Sequence, residues 1–291
     1  FGVTDSSQYE QYAKNMKSYI EAIDKTRPIT VGDNNPNGLQ NANTQEFRNK
    51  VSTVLAKNGE GLAGANYSMG SMAGIHKTHP DWKIIATESA SPSNSRGIYN
   101  TLSQYNKTGD YQCTAYDTNA VSWGNTARES WWYTIKDDFV SGEFIWTGFD
   151  YIGEPTPWNG TGTGSVSGDK LAVPNSSYFG VIDTAGFEKD SFYFYTSQWR
   201  EDKQTLHIVP QSWNKKDLSI SGGKVPVYVY SNAAKVELYL NDKLIGTSTR
   251  TPIKTAAGHE WATYSNVSND ADQCTAVNES QQWKAQAIQF N

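Results

Sequence analysis

The sequence predicts a mixed α/β chain: half of a (β/α)8 TIM barrel over residues 1–202, then an antiparallel, immunoglobulin-like β-sandwich over 203–291, whose end is not cleanly closed. Three observations carry this expectation. Short apolar runs alternate with amphipathic stretches up to about residue 150. Each apolar run ends in a cluster of polar or aromatic residues. From Leu206 onward the pattern becomes alternating and β-branched. Short, wholly apolar strands between helices belong to a parallel sheet buried on both faces, whereas strict alternation marks half-buried strands of an antiparallel sheet.

The elements follow in order. Residues 5–24 read as a helix that Asp5 and Ser6 can cap, with Tyr9, Tyr12, Ala13, Met16, Tyr19, Ile20 and Ile23 recurring at helical spacing. A strand at 28–31 ends in Gly32-Asp33-Asn34-Asn35. A second amphipathic stretch, 44–57, leads to an apolar run at 62–65 that ends in Asn66-Tyr67. The next apolar strand, 82–87, ends at Glu88. A Trp-rich helix at 126–138 precedes a strand at 143–146, which ends in Trp146 and continues as Thr147-Gly148-Phe149-Asp150. Residues 153–177 are rich in Gly, Pro, Ser, Thr and Asn and read as a loop. A turn at Ala185-Gly186 and an aromatic helix at 191–200 follow. Strands are expected at 206–209, 225–230, 236–240 and 243–247, the last two joined as a hairpin through Asn241-Asp242.

Composition excludes several functions. The chain has 291 residues, a net charge of −5 and interspersed signs, whereas nucleic-acid binding needs a concentrated basic face. No apolar run approaches about 18 residues, so no membrane span is expected. No leader is visible at its start, which carries little weight in a chain expected to begin inside a longer protein. Cys113 and Cys274 fall in different predicted domains and read as free thiols, which leaves the compartment open. The histidines at 76, 79, 207 and 259 form no triad or metal cluster by spacing, and no Gly-rich phosphate loop is present. Nothing in the sequence requires a cofactor, and it does not fix metal dependence. Hydrophobic residues make up only 37% but aromatics 13%, with ten Trp and seventeen Tyr. Such rings either build a β-rich core or line a cleft that stacks on sugar C–H faces.

In a (β/α)8 barrel, chemistry is done at the C-terminal ends of the strands, which here carry Asp33, Tyr67, Glu88 and Trp146 through Asp150. A carboxylate at the end of a buried strand is costly unless it is paired, hydrogen-bonded or used in chemistry. Glu88 therefore reads as either an ion-pair partner or a nucleophile. Retaining glycoside hydrolysis needs a carboxylate nucleophile and a second carboxyl about 5–5.5 Å away. Tyr67 can donate to Glu88 or merely cap its strand. Trp146 can form a floor for a sugar ring or pack the barrel. Asp150 and Glu154 can bind hydroxyls or stand solvated, and Asp33 and Asn34 can bind substrate or turn the chain.

Ile84-Ile85-Ala86-Thr87-Glu88-Ser89-Ala90-Ser91, with Ser95-Arg96-Gly97-Ile98-Tyr99, resembles the nucleophile segment of glycoside hydrolase family 2. The stretch from Trp146 through Tyr151-Ile152-Gly153-Glu154-Pro155-Thr156-Pro157-Trp158 resembles the last-strand segment of that family's β-galactosidase branch. Asp24-Lys25-Thr26-Arg27-Pro28-Ile29-Thr30 resembles the entry to its fifth barrel strand. Phe179-Gly180-Val181-Ile182-Asp183 with Trp199-Arg200 resembles the close of the barrel. The resemblance covers residues 1–213 well and the sandwich more loosely. It implies barrel strands five to eight, Glu88 as nucleophile, Tyr67 orienting it, and Trp146, Asp150, Glu154, Asp33, Asn34 and Trp158 at the sugar.

The resemblance further implies a terminal β-galactoside as substrate, double displacement, and a bacterial origin, cytoplasmic or at the cell surface. The family's acid/base belongs to an Asn-Glu pair before the helix at 5–24, and no such pair is found there. Glu10 and Glu21 lie on that helix, and Asn278-Glu279 falls in the predicted sandwich. The acid/base is therefore expected upstream of Phe1, with the remainder of the parent polypeptide as partner and this chain alone inactive. Unpaired sheet edges would favour self-association into a homo-oligomer. A β-glucuronidase or β-mannosidase of the same family, or a non-catalytic carbohydrate-binding fragment, are the alternatives. A uronate would want a basic clamp, for which Arg96 is the one basic residue in the nucleophile and last-strand segments. The Asn-x-Ser/Thr sites at Asn66, Asn106, Asn159, Asn175, Asn266 and Asn278 read as by-products of a polar composition.

Overall fold

The computed structural model describes residues 6–42, 47–56, 61–100, 111–156, 174–218, 225–264 and 288–290. The expected cap Asp5, most of the 153–177 loop including Trp158, Cys274 and the Asn278-Glu279 pair lie outside the described residues. The chain divides into two compact units, Phe1–Ser89 with Tyr133–Ile145, and Ala90–Trp132 with Trp146–Asn291.

The first unit is α/β. Helix α1 (Ser6–Ile23) packs against α3 (Phe47–Ala56), and the short α2 (Pro36–Leu39) lies between them in sequence. Strands β1 (Gly32–Asp33), β2 (Leu62–Asn66), β3 (Lys83–Ala90) and β4 (Val140–Trp146) form one sheet in chain order, with β1/β2 and β2/β3 parallel. A 3-10 turn (Met69–Ser71) and α4 (Met72–Thr78) connect β2 to β3. The core beneath the sheet contains Ala63, Ala65, Ile84 and Ala86 from the strands and Met69, Met72 and Ile75 from the connection. Each large side chain removed from water there contributes about 2 kcal/mol. Small residues dominate β2 because its neighbours come close. A Cβ on Gly64 would stand 2.2 Å from the Val31 carbonyl oxygen.

Two expectations are corrected here. The strand expected at 28–31 forms its ladder at Gly32–Asp33 instead, paired with Gly64 and Ala65. Pro28 has no N–H to give, and Ile29 accepts a single long bond of 3.4 Å from Leu62 N. The apolar stripe of α1 is also not buried as a whole. Ala13 is buried, but Tyr12, Met16, Tyr19, Ile20 and Ile23 are exposed, Ile23 by 90%.

The second unit contains α5 (Ala127–Ile135), which begins in it, α6 (Asp190–Trp199) and two antiparallel sheets. The Asp117 carboxylate caps α5, accepting from Ala127 N at 2.8 Å and Arg128 N at 3.1 Å, and pairs with Arg128 Nε at 2.9 Å. Trp131 of α5 meets Trp199 of α6 edge to face, ring centroids 5.9 Å apart. One sheet orders β10 (Ile288–Phe290), β6 (Val227–Ser231) and β5 (Leu206–Val209). The other orders β7 (Lys235–Leu240), β8 (Lys243–Lys254) and β9 (Glu260–Tyr264). The hairpin forms at Asn241-Asp242, with φ of 48° and 61°, the paired left-handed conformation of a tight primed turn. Strand β8 runs on to Lys254, past the expected end at 247, because β9 pairs with its second half.

Cys113 is a buried free thiol, and burial pushes its pKa up, so it is not a reactive thiolate. Among the described residues no helix is long and apolar enough to cross a membrane. No group of three or more His, Cys, Asp or Glu among them could hold a metal ion.

Candidate active site

In the first unit, the C-terminal ends of β1, β2 and β3 stand side by side. Asp33 is in register with Ala65, and Asn66 with Glu88. Tyr67 follows β2 with a φ of 49°, and its N–H donates to the Glu88 carbonyl at 2.8 Å. Asn66 Oδ1 accepts from Thr87 Oγ1 at 2.5 Å, which locks the two strand ends together. Ser89, fully buried, donates to Glu143 Oε2 of β4 at 2.7 Å. Among the described residues no hydrogen bond or ion pair engages the half-buried Glu88 carboxylate. Among the described residues its oxygens are thus left available, unlike those of the other strand-end carboxylate.

Asp33 is the opposite case. It is completely buried, and its oxygens accept from Asn35 N at 2.9 Å, Asn49 Nδ2 at 2.9 Å and Ser52 Oγ at 2.8 Å. These bonds tie β1 to α3 and set up the Asn35 cap of α2, whose Oδ1 accepts from Gly38 N at 3.1 Å. Asn34 beside it is exposed.

In the second unit, the segment after β4 forms a polar network. Half-buried Trp146 donates from Nε1 to Tyr151 Oη at 3.2 Å, with the rings edge to face at 5.9 Å. The Tyr151 hydroxyl donates in turn to Glu154 Oε2, whose other oxygen accepts from Thr156 Oγ1 at 3.2 Å. Asp150 is held differently: Lys189 Nζ lies 2.6 Å from its Oδ2, and Gly180 N donates to its Oδ1 at 2.7 Å. Burial is the larger influence on both partners, raising the Asp150 carboxyl and lowering the Lys189 ammonium, and each attracts the other against it. Spacing within the sequence gave no sign of Lys189, because its partner lies 39 positions away.

Arg96 is engaged as well. Its Nε donates to Asp183 Oδ2 at 2.7 Å, and its guanidinium lies 4.7 Å from the Phe187 ring centroid. Burial works to raise the Asp183 carboxyl, but Arg96 and the Phe187 and Ala185 N–H groups hold it below its ordinary value. His207 is not isolated: its Nε2 lies 2.6 Å from Asp190 Oδ1, and Tyr99 donates to Asp190 Oδ2 at 3.1 Å. This buried contact ties β5 to α6 and contains no nucleophile.

Residues 222–267 match a family model described as a domain of unknown function (DUF4982). The β-galactosidase BoGH2A of Bacteroides ovatus is 36% identical over 245 residues, covering 80% of this chain and 25% of that protein. A putative β-glucuronidase of Formosa agariphila is 28% identical over 267 residues, covering 82% of this chain and 22% of that protein. The crystal structure of a β-glycosidase from Bacteroides vulgatus matches with a TM-score of 0.59 at 24% identity, covering 92% of this chain and 32% of that one. That likeness speaks to fold alone. The chain spans about a quarter of the length of the curated relatives it matches.

Proposed function

The chain belongs to glycoside hydrolase family 2, and from that premise we propose that it carries the nucleophile side of a retaining β-glycosidase acting on terminal β-galactosides. Residues 1–202 then form the second half of a TIM barrel, strands five to eight, and residues 203–291 an immunoglobulin-like sandwich. The observation that carries the reading is Glu88: a half-buried carboxylate near the C-terminal end of β3, which runs two residues past the expected end, and no side chain among the described residues engages its carboxylate.

In this mechanism Glu88 attacks the anomeric carbon, and the bond to the leaving oxygen breaks as a second glutamate protonates it. The glycosyl-enzyme ester is then hydrolysed by water that the same second glutamate deprotonates. No residue of these 291 is proposed for that second role. Tyr67 orients the nucleophile, and Trp146 serves as the floor for the sugar. Glu154 and Asn34, with Trp158 outside the described residues, contact its hydroxyls. Asp33 and Asp150 each brace their own segment rather than contact the sugar, since their oxygens are already engaged.

A β-glucuronidase is the second reading, favoured by the Formosa agariphila relative. Arg96, the basic residue of the nucleophile segment, is held in place by Asp183 through Nε and lies over Phe187, so its position is set by the protein itself. The test uses the full-length protein with a 2-fluoro-galactosyl fluoride and its glucuronyl counterpart. A mass increase on the peptide containing Glu88 with the galactosyl reagent supports the proposal. An adduct only with the glucuronyl reagent selects the second reading. Sugar binding with neither adduct points to a non-catalytic module.

A further inference from the structure

The segment proposed as the sugar floor is anchored by a residue that no sequence motif marks. Lys189 is 2% exposed, and an ammonium has three protons to donate. All three directions are taken: Asp150 Oδ2 at 2.6 Å, the Asn94 carbonyl at 2.7 Å and the Tyr178 carbonyl at 3.3 Å. These oxygens belong to three separate stretches of the second unit. Thr147–Asp150 pairs along 179–182 through Thr147 N to Phe179 O, Ile182 N to Gly148 O and Asp150 N to Ile182 O, at 3.3, 3.1 and 2.9 Å. Asn94 N reaches Tyr178 O at 3.0 Å, and Lys189 N reaches Val181 O at 2.8 Å. The stretches are so close that a Cβ on Gly180 would stand 2.1 Å from Asp150 N.

We infer that Lys189 is a positioning residue, which through Asp150 fixes the Trp146–Asp150 segment against 94 and 178 and so sets where the sugar floor stands. It touches no ligand itself, because no proton on its ammonium is left to give. An uncompensated charge buried at this point would disturb the segment, and removing both charges together would leave the packing but not the tether. The inference rests on the reading of Trp146 as the floor of a sugar site.

The test compares Lys189→Met, Asp150→Asn and the double variant in the full-length protein, with an aryl β-galactoside. The double variant leaves no buried lone charge, so it decides even where Lys189→Met fails to fold. The expected result for the double variant is a folded protein with a somewhat lowered melting temperature and kcat/KM lowered on the order of 100-fold, mostly through KM, as for a misplacement of about 1 Å. Lys189→Arg restores a substantial part of the loss. Parent-like KM and kcat in the double variant overturn the inference and leave the pair as packing alone. If the parent turns over no glycoside, it is the proposed function that has failed. The tether is then judged by amide exchange at 147–150: faster exchange in the double variant supports it, and unchanged exchange overturns it.

Discussion

The ends of β1 and β3 carry the same kind of residue in the same kind of place and use it in opposite ways. Asp33 is fully buried, with its oxygens taken by Asn35 N, Asn49 and Ser52. Glu88 is half-buried, and nothing among the described residues holds its oxygens. A strand-end carboxylate is therefore only a candidate. What separates the two is whether donors have already been provided for the carboxylate: for Asp33 they are the nearby Asn35 N and two side chains of α3, 16 and 19 residues further along the chain.

The largest effect that would break this comparison is on turnover. Glu88→Gln is expected to lower kcat on the order of 10⁴-fold or more while changing stability by less than about 0.5 kcal/mol. A variant that keeps its activity, measured on an aryl galactoside, would remove Glu88 from the chemistry. Asp33→Ala should do the reverse, costing about 3 kcal/mol of stability because two buried side-chain donors lose a charged acceptor. Urea unfolding at constant slope checks this, and a parent-like midpoint would show that Asp33 is not structural. Ser52→Ala sharpens the same point at lower cost: about 1 kcal/mol with KM unchanged, since Asn35 N and Asn49 remain on Asp33.

The smallest expected effect is on pH dependence, and it comes from neither strand end. His79, stacked on Trp82 at 3.7 Å, has its pKa lowered chiefly by burial, which outweighs the upward pull of the Leu39 carbonyl and Asp81. A depressed histidine pKa means that the unfolded chain binds the proton more readily. Stability is thus fully present above the ordinary value of 6.5 and declines as pH falls from there toward the folded value. Midpoints measured between about pH 5 and 8 should show this slope, and His79→Gln should flatten it. An unchanged slope in that variant would move the effect to another group.

Much of the frame was legible in the sequence. The apolar runs at 62–65 and 82–87 became β2 and β3, and Asn241-Asp242 became the hairpin, because burial on both faces and left-handed turn residues leave local marks. Helix α2 left its own mark, Asn35 at the cap and Pro36 in the first turn, which was absorbed into a reading of that stretch as a turn. Helix α4 was hidden by Gly70 and Gly74, which break an otherwise regular Met69, Met72, Ile75 spacing. The partners of candidate residues were the least legible. Asp150 and Lys189, or Arg96 and Asp183, meet only after the chain has folded, and neither member of such a pair carries a local signature.

The edge-to-face Trp131–Trp199 pair, centroids 5.9 Å apart, has an optical consequence. Two indoles held at a fixed oblique angle share their electronic transitions, and a chiral pair of that kind gives a signed couplet in circular dichroism. Since one ring belongs to α5 and the other to α6, the couplet exists only while those helices are docked. The second unit thus contains an intrinsic reporter of its own assembly, which can be followed without a label and independently of any substrate.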